Sequence, residues 1–469
     1  MRFALNVRAT ALLVAAGLVA SACGSQLDRS EIAAVADRVE LDEISATPTP
    51  GEVRTTDADA TTGSPAVAGS SGGTVATHSA GETTAGTAAA TSDGAASTSG
   101  ARPVSPKSEI SIASIGPYSG VLGAATLPFV DGLRIWVAWA NSRGGVNGHP
   151  IRLLVQDDRA DSSRHRALVQ EDVEQQEVIA FAQNVLSVAG RGSIDYLQDK
   201  QVPVVGHEGG ADYVYDHTMY FTPAPSGDTY AEASLRGMAE LALPAGATKL
   251  ATLTCAEVED ACGSFDRVWN EVATDVGFEP VYRARPSIAQ PDYTSQCLSA
   301  MEAGAEIIAV AFDSASIRRV ASACRRQGYT GLFGIASNTT TPDLASDPNL
   351  DGSVIGTQLA PWVADTPALR EFREAVAQFA PSEQPNPLLL LGWVSGKLFE
   401  VAAADLPEPA TSQALLAGLW SLDGDDLGGL THPLAFHEGK PSPRRVCFGS
   451  ARIDDGTFVA PNGGTLSCR

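Results

Sequence analysis

The sequence predicts an α/β protein of two similar lobes, each built around a parallel sheet. Three observations predict it. Short apolar runs alternate with longer segments of helical spacing over most of the chain. The order of elements in the first half recurs in the second. The 469 residues also exceed what one hydrophobic core usually fills, roughly 250–300 residues.

The folded part is expected to start near Glu109. Ile110–Ile115 is the first strand candidate, and its apolar run stops at the turn Gly116-Pro117-Tyr118-Ser119-Gly120. Phe129, Leu133, Trp136, Val137 and Ala140 then share one helical face, and "GGVNG" at 144–148 ends that helix. Strand Ile151–Gln156, a polar gap, a helix over Ser163–Gln175 and strand Val178–Ala182 follow, and then strand Val202–Val205. The second set opens with strand Leu250–Thr254, and Phe265, Val268, Trp269 and Val272 mark a helix that stops at Gly277. Strand Pro280–Arg283, a polar gap, a helix over Tyr293–Ala303 and strand Ile307–Phe312 repeat the earlier order, and Leu332–Ile335 is the last strand candidate. "EVIAFAQNVLS" at 177–187 and "EIIAVAFDSAS" at 306–316 sit at corresponding places. Repeated strand–helix–strand units make parallel sheets, so two α/β halves with a ligand cleft between them are expected.

Bulk properties narrow the partners. The formal net charge of -23 argues against nucleic acid, whose binders carry basic patches. Arg2 and Arg8 form a positive start, and Ala9–Ala20 is an apolar run of signal-peptide length, too short to span a bilayer. It ends in "VASAC", which resembles the lipobox of bacterial lipoproteins, although Ala20 stands where that pattern prefers Leu. The resemblance implies a signal peptide over 1–22 and lipidation of Cys23; an ordinary secretory signal is the alternative. From Ala46 to Ser108 there is no Leu, Ile, Met or aromatic residue. Such a stretch buries too little apolar surface to offset its ordering entropy, so 23–108 is expected to be a disordered tether. Its reach is roughly 40–50 Å. Cys255, Cys262, Cys297, Cys324, Cys447 and Cys468 form an even set with no CxxC pair, which suits disulfides in an oxidising compartment better than a zinc site. Sequential pairing, 255–262, 297–324 and 447–468, is the simplest of the 15 possibilities.

The strand-and-turn start at Ile110–Gly123 leads into "DGLRIWVAWANSRGGVNGHPIRLLVQDDRADSSRHRALVQ". Together they resemble the start of a type I periplasmic binding protein of the Leu/Ile/Val-binding family, the solute receptors of ABC importers. Asn141, Gly144, Gly145, Val146, Gly148, Ile151, Leu153, Asp157, Asp158 and Ala167 fit the family pattern. The resemblance implies two Rossmann-like lobes with parallel sheets, joined by a three-crossover hinge. Lobe 1 would be 109–223 plus 360–436, and lobe 2 would be 224–359 plus 437–469. Ligands of such sheets bind at the carboxyl ends of strands, and the lobes close on them by hinge motion.

Candidate ligand residues follow the strands. Tyr118 and Ser119 lie in the first loop, where a hydroxyl, small neighbours and a helix N-terminus suit a carboxylate. Asn184, Leu186 and Ser187 follow the third strand; the resemblance implies that this loop holds a ligand carboxylate or a neighbouring polar group, with Ser187 at the start of the next helix. Ser187 as a plain helix cap is the alternative. Glu208 and Gly209 follow the fourth strand, beside His207; the family's amino-acid binders carry a Thr here, which this chain lacks. In lobe 2, Phe312 and Asp313 end a strand. Asp313 either pairs with a ligand amine or caps the helix that begins at Ser314. A Glu that the family often places after strand Leu332–Ile335 is replaced by Ala336 or Ser337, which argues against a standard branched-chain amino-acid site. Trp362 lines the cavity or packs the hinge.

No cofactor or metal is expected, since His207 has no second ligand at helical spacing. The turn "GPYSG" is not the G-x-S-x-G of a serine hydrolase, and it lacks both GxxxxGK[ST] and GxGxxG of nucleotide binders. The expected function is a non-enzymatic lipoprotein on the outer face of the cytoplasmic membrane, attached through its lipid anchor only. It would deliver a small polar solute (an amino acid, a derivative, an amide or a small carboxylate) to ABC permease and ATPase subunits. A sensor of the same fold feeding a separate signalling partner is the rival.

Overall fold

Eight parallel strand pairings and crossovers in the order strand–helix–strand organise the chain into two α/β lobes, in the computed structural model describing residues 107–469. The signal peptide, Cys23 and the tether lie outside these residues, apart from Lys107 and Ser108. Those two dock: Lys107 N–H donates to Gly148 O at 2.9 Å and Ser108 N–H to Glu408 Oε2 at 2.9 Å. Among the described residues no helix is long and apolar enough to cross a membrane.

The first lobe holds a five-stranded parallel sheet: β1 Ile110–Gly116, β2 Ile151–Asp157, β3 Ala180–Asn184, β4 Val204–His207 and β5 Tyr220–Phe221, in the order β2-β1-β3-β4-β5. Helices α1 Gly120–Ser142, α2 Ser162–Gln175 and α3 Ile194–Lys200 connect them. β1 and β3 are almost wholly buried because helices cover both faces, which is why they read as continuous apolar runs.

The second sheet has five parallel strands, β6 Lys249–Thr254, β7 Glu279–Ala284, β8 Ile307–Ala311, β9 Leu332–Ala336 and β10 Val354–Thr357. Helices α4 Gly227–Ala242, α5 Ser264–Val276, α6 Thr294–Glu302 and α7 Ser314–Arg326 accompany them. The chain then returns to the first lobe as α8 Pro367–Phe379, α9 Pro387–Ala402 and α10 Ser412–Trp420, with α8 and α9 packed on α1. A two-stranded ribbon, β11 Asp423–Asp425 and β12 Leu434–Ala435, closes this part. Finally β13 Cys447–Asp454 adds antiparallel to β10, with β14 Thr457–Val459 and β15 Ser467–Cys468 antiparallel to β13. The polypeptide therefore passes between lobes three times, over 222–226, 358–366 and 436–446.

Two expected strands shift by two residues at both ends. The third runs over Ala180–Asn184 rather than Val178–Ala182, and the fourth over Val204–His207 rather than Val202–Val205. Asn184 and His207 face each other in register, which makes the polar tips part of the sheet. The three sequential disulfides form: 255–262, 297–324 and 447–468. Closing loops of this length is worth roughly 2–4 kcal/mol each.

One buried carboxyl sets a pH dependence. Asp172 on α2 is fully buried, with Gln156 Nε2 donating to one oxygen and no partner for the other among the described residues. Burial is the main cause that pushes its carboxyl up to about 6, against the Gln156 bond and Arg152. Its folded value lies above its unfolded one, so stability is fully present below about pH 4 and is lost as pH rises through about 6. Asp172→Asn is expected to raise the melting temperature at pH 8 and leave it unchanged at pH 4. Melting curves at the two pH values check this; an equal shift at both would contradict it.

Candidate functional site

The carboxyl ends of the lobe 1 strands carry a network that centres on Glu208. Gly209, next along, has φ +87°, and a β-carbon there would stand 2.9 Å from Gln358 Oε1 in the second crossover. Only glycine fits that turn, and it aims the Glu208 side chain back into lobe 1. One carboxylate oxygen accepts the Leu186 N–H at 2.9 Å and the other the Ser187 N–H at 2.8 Å. Burial pushes the Glu208 carboxyl up, but His207, the Leu186 N–H and the Ser187 hydroxyl outweigh it and hold it below the usual value. Asn184 Oδ1 accepts the Ile115 N–H at 3.0 Å, and Asn184 O accepts the Glu208 N–H at 3.2 Å. Asn184, Leu186, Ser187, Glu208 and Gly209 thus form one cluster.

Two expectations about these residues change. Asn184 is the last residue of β3, not part of the loop. Ser187 does not begin a helix; the next helical turn starts at Gly190, and the Ser187 N–H is held by Glu208. Glu208 keeps its candidate place, with both its oxygens used inside the lobe. Around it, Asn184 Nδ2, His207 Nε2 and Gln358 Oε1 are buried without a hydrogen-bond partner among the described residues. Each is a buried polar atom left unpaired, which is uncommon inside a folded protein.

Tyr118 and Ser119 are tied to Asp157 at the end of β2. The Tyr118 N–H donates to Asp157 Oδ1 at 3.0 Å, and the Tyr118 hydroxyl bonds Ser114 Oγ at 2.8 Å. Burial drives the Tyr118 phenol well above its ordinary value. Burial also pushes the Asp157 carboxyl up, but bonds from the Ser119 hydroxyl and the Arg159 and Tyr118 N–H groups win and hold it below its ordinary value. Ser119 is exposed at the start of α1 and makes no cap bond, because its hydroxyl serves Asp157.

In lobe 2, Phe312 is buried against Tyr293 at 5.5 Å between ring centroids. Asp313 caps α7: its Oδ1 accepts the Ser316 N–H at 3.0 Å, and its Oδ2 the Ser316 hydroxyl. It also lines a cavity of about 660 Å³ between the lobes. Lobe 1 contributes Leu122, Ala124, Ala125 and Leu388 to its wall; lobe 2 contributes Glu257, Ile288, Asn338 and Asp343 among others. Asn338 links the two regions, since its Nδ2 approaches Glu208 O at 3.5 Å. Trp362 stands apart, 1 % exposed and packed edge-on to Phe458 at 5.0 Å. Sequence reasoning missed Asn338 and its neighbours, although the run "SNTTT" at 337–341 directly after an apolar strand was a visible signal. It also missed the apolar α1 and α9 wall, which has no local signature. Away from that cavity, Arg191 of lobe 1 pairs with Asp260 of lobe 2 at 3.0 Å.

Two α/β lobes, three connections and a cavity walled by both define a hinged, two-lobed binding protein. The sequence matches the model of the periplasmic binding protein family over residues 109–445, and the chain belongs to that family. Solved structures of low identity share the fold. A branched-chain amino acid ABC transporter protein from Thermus thermophilus with bound valine has a TM-score of 0.65 at 16% identity, over 78% of this chain and 98% of that one. An extracellular ligand-binding receptor from Verminephrobacter eiseniae has 0.62 at 22%, over 75% and 99%. A fatty acid ABC transporter substrate-binding protein from Thermomonospora curvata has 0.61 at 17%, over 77% and 91%. No curated relative matches the sequence significantly.

Proposed function

We propose that the protein is an extracytoplasmic solute receptor that captures a small polar organic molecule between its lobes and hands it to the permease and ATPase subunits of an ABC importer. The observation that carries this reading is the cavity of about 660 Å³ walled by both lobes. That volume suits an amino acid, an amino-acid derivative, an amide or a small carboxylate. Family membership supports the reading, and so do relatives of the same fold described as ABC transporter proteins. Cys23 would carry the lipid anchor, the tether would let the lobes reach the importer, and the anchor would be the protein's sole membrane attachment. The residues proposed to meet or shape the ligand site are Tyr118, Ser119, Asn184, Leu186, Ser187, Glu208, Gly209, Phe312 and Asp313. Binding closes the lobes about the three crossovers.

Thermal-shift screening of the purified protein against a panel of small metabolites tests the reading. Affinity near 1 μM corresponds to about -8 kcal/mol. A ligand at 100 times its dissociation constant stabilises the fold by ~2.7 kcal/mol. A hit should also shrink the particle in solution scattering. For a hit bearing an amine, Asp313→Asn should weaken binding severalfold while keeping the cap on α7, since Asn caps helices as well as Asp does. A panel of amino acids, amides and carboxylates without a single shift would sink the solute-receptor reading.

A further inference from the structure

The turn after β3 offers two backbone N–H groups and a hydroxyl at the carboxyl end of a parallel sheet, the place where such folds take polar ligand groups. Here that offer is already taken. Leu186 N–H and Ser187 N–H hold the two oxygens of Glu208 at 2.9 and 2.8 Å, and the residue is 5 % exposed. A ligand carboxylate at this turn would have to displace a buried carboxylate and then lie beside it. The neighbouring cavity reinforces the bias. Glu257, Asp313 and Asp343 line it against one cation, Arg319, whose Nη2 is committed to Ile288 O at 2.7 Å and Ser316 Oγ at 2.8 Å. The remaining wall is largely apolar, with Leu122, Ala124, Ala125, Ile288 and Leu388. The buried unpartnered atoms near Glu208 include donors, Asn184 Nδ2 and His207 Nε2, and an acceptor, Gln358 Oε1. A group with both a carbonyl and N–H bonds satisfies both kinds; a carboxylate satisfies only the donors.

We propose that Glu208 determines specificity by supplying an internal carboxylate to the turn after β3, so that the receptor takes a non-acidic, nitrogen-bearing solute with an apolar body, an amide or amine, and rejects the matching carboxylic acid. The proposal rests on the solute-receptor reading and narrows its ligand class.

Titration calorimetry on the purified protein with matched probes tests it: leucine against leucinamide, and benzoate against benzamide and benzylamine. In the wild type, the amide or amine of at least one set should bind tenfold or more tightly than its acid. Glu208→Ala frees the two N–H groups and should shrink or invert that ratio. Glu208→Gln keeps the shape, leaves one N–H without an acceptor, and should give an intermediate ratio; it decides the matter if the alanine variant does not fold. An acid that binds the wild type as tightly as its amide overturns the proposal and leaves the receptor reading intact. A ratio unchanged in both variants overturns the role of Glu208. No binding by any probe counts against the proposal and the receptor reading together.

Discussion

Gly392→Val is expected to cost about 3 kcal/mol of folding stability or more. Gly392 lies inside α9, where a glycine normally weakens a helix by about 1 kcal/mol relative to alanine. The helix crossing explains its presence. A β-carbon there would overlap Phe129 O on α1 and stand 2.7 Å from Leu133 N. The same crossing places Gly132 of α1 against the Leu389 carbonyl and Gly396 against the Trp136 ring. These obstacles are backbone or a fully buried ring, so no side chain can rotate away. Overpacking must therefore push α1 and α9 apart, and these helices supply Leu122, Ala125 and Leu388 to the cavity wall. Ligand affinity should fall along with stability. Ala417→Val, at an exposed position on α10, is the control and should change stability by about 0.5 kcal/mol or less. Urea unfolding at matched slope reads both. Equal losses in the two variants would remove the glycine crossing as the reason for close approach.

Much of this fold was legible. β1, β2, β6, β8 and β9 match their apolar runs to within a residue, because strands buried on both faces carry little else. The ends of β3 and β4 were not, since Gln183, Asn184 and His207 are polar yet buried, and hydropathy reads them as loop. Tertiary partners hold two of them in place: Ser395 Oγ donates to Gln183 Oε1 at 2.6 Å, and Asn184 accepts from Ile115. β10 and β13 escaped notice because one is only Val354–Thr357 and the other mixes Gly449, Ser450 and Arg452 into an antiparallel addition. The helical return to lobe 1 is equally ambiguous locally, as Leu388–Leu391 reads as a buried strand or a buried helix. Within the candidate site, the loops after each strand could be located by counting. The inward turn of Glu208 could not, because its donors at 186 and 187 lie more than twenty residues back and come within reach only through the register of β3 on β4.

His165→Leu should have a comparably large effect, and for a different reason. His165 on α2 and Asp158 after β2 are both fully buried, with Nδ1 and Oδ2 2.9 Å apart. The other Asp158 oxygen accepts the Ala160 N–H at 2.8 Å. Between them the chain holds two successive non-glycine residues in the left-handed region, Arg159 at φ +54° and Ala160 at φ +63°. Such conformations cost roughly 1–3 kcal/mol each and persist only when their surroundings fix them. Removing one partner of a buried pair of this kind costs about 3–5 kcal/mol. The loss also loosens the loop that carries Asp157, which holds the Tyr118 N–H and the Ser119 hydroxyl at the ligand end of β1. The expected result is therefore twofold: a drop of about 3 kcal/mol or more in urea unfolding, and faster tryptic cleavage after exposed Arg159 under native conditions. Combining His165→Leu with Asp158→Asn should cost less than the sum of the single changes, by about 1 kcal/mol or more, because the second change removes the carboxyl that the first leaves stranded. Strict additivity, with Arg159 still resistant to trypsin, would mean that the pair does not hold the loop, and that the left-handed turn is fixed by Asp157 and the Asp161 cap on α2 instead.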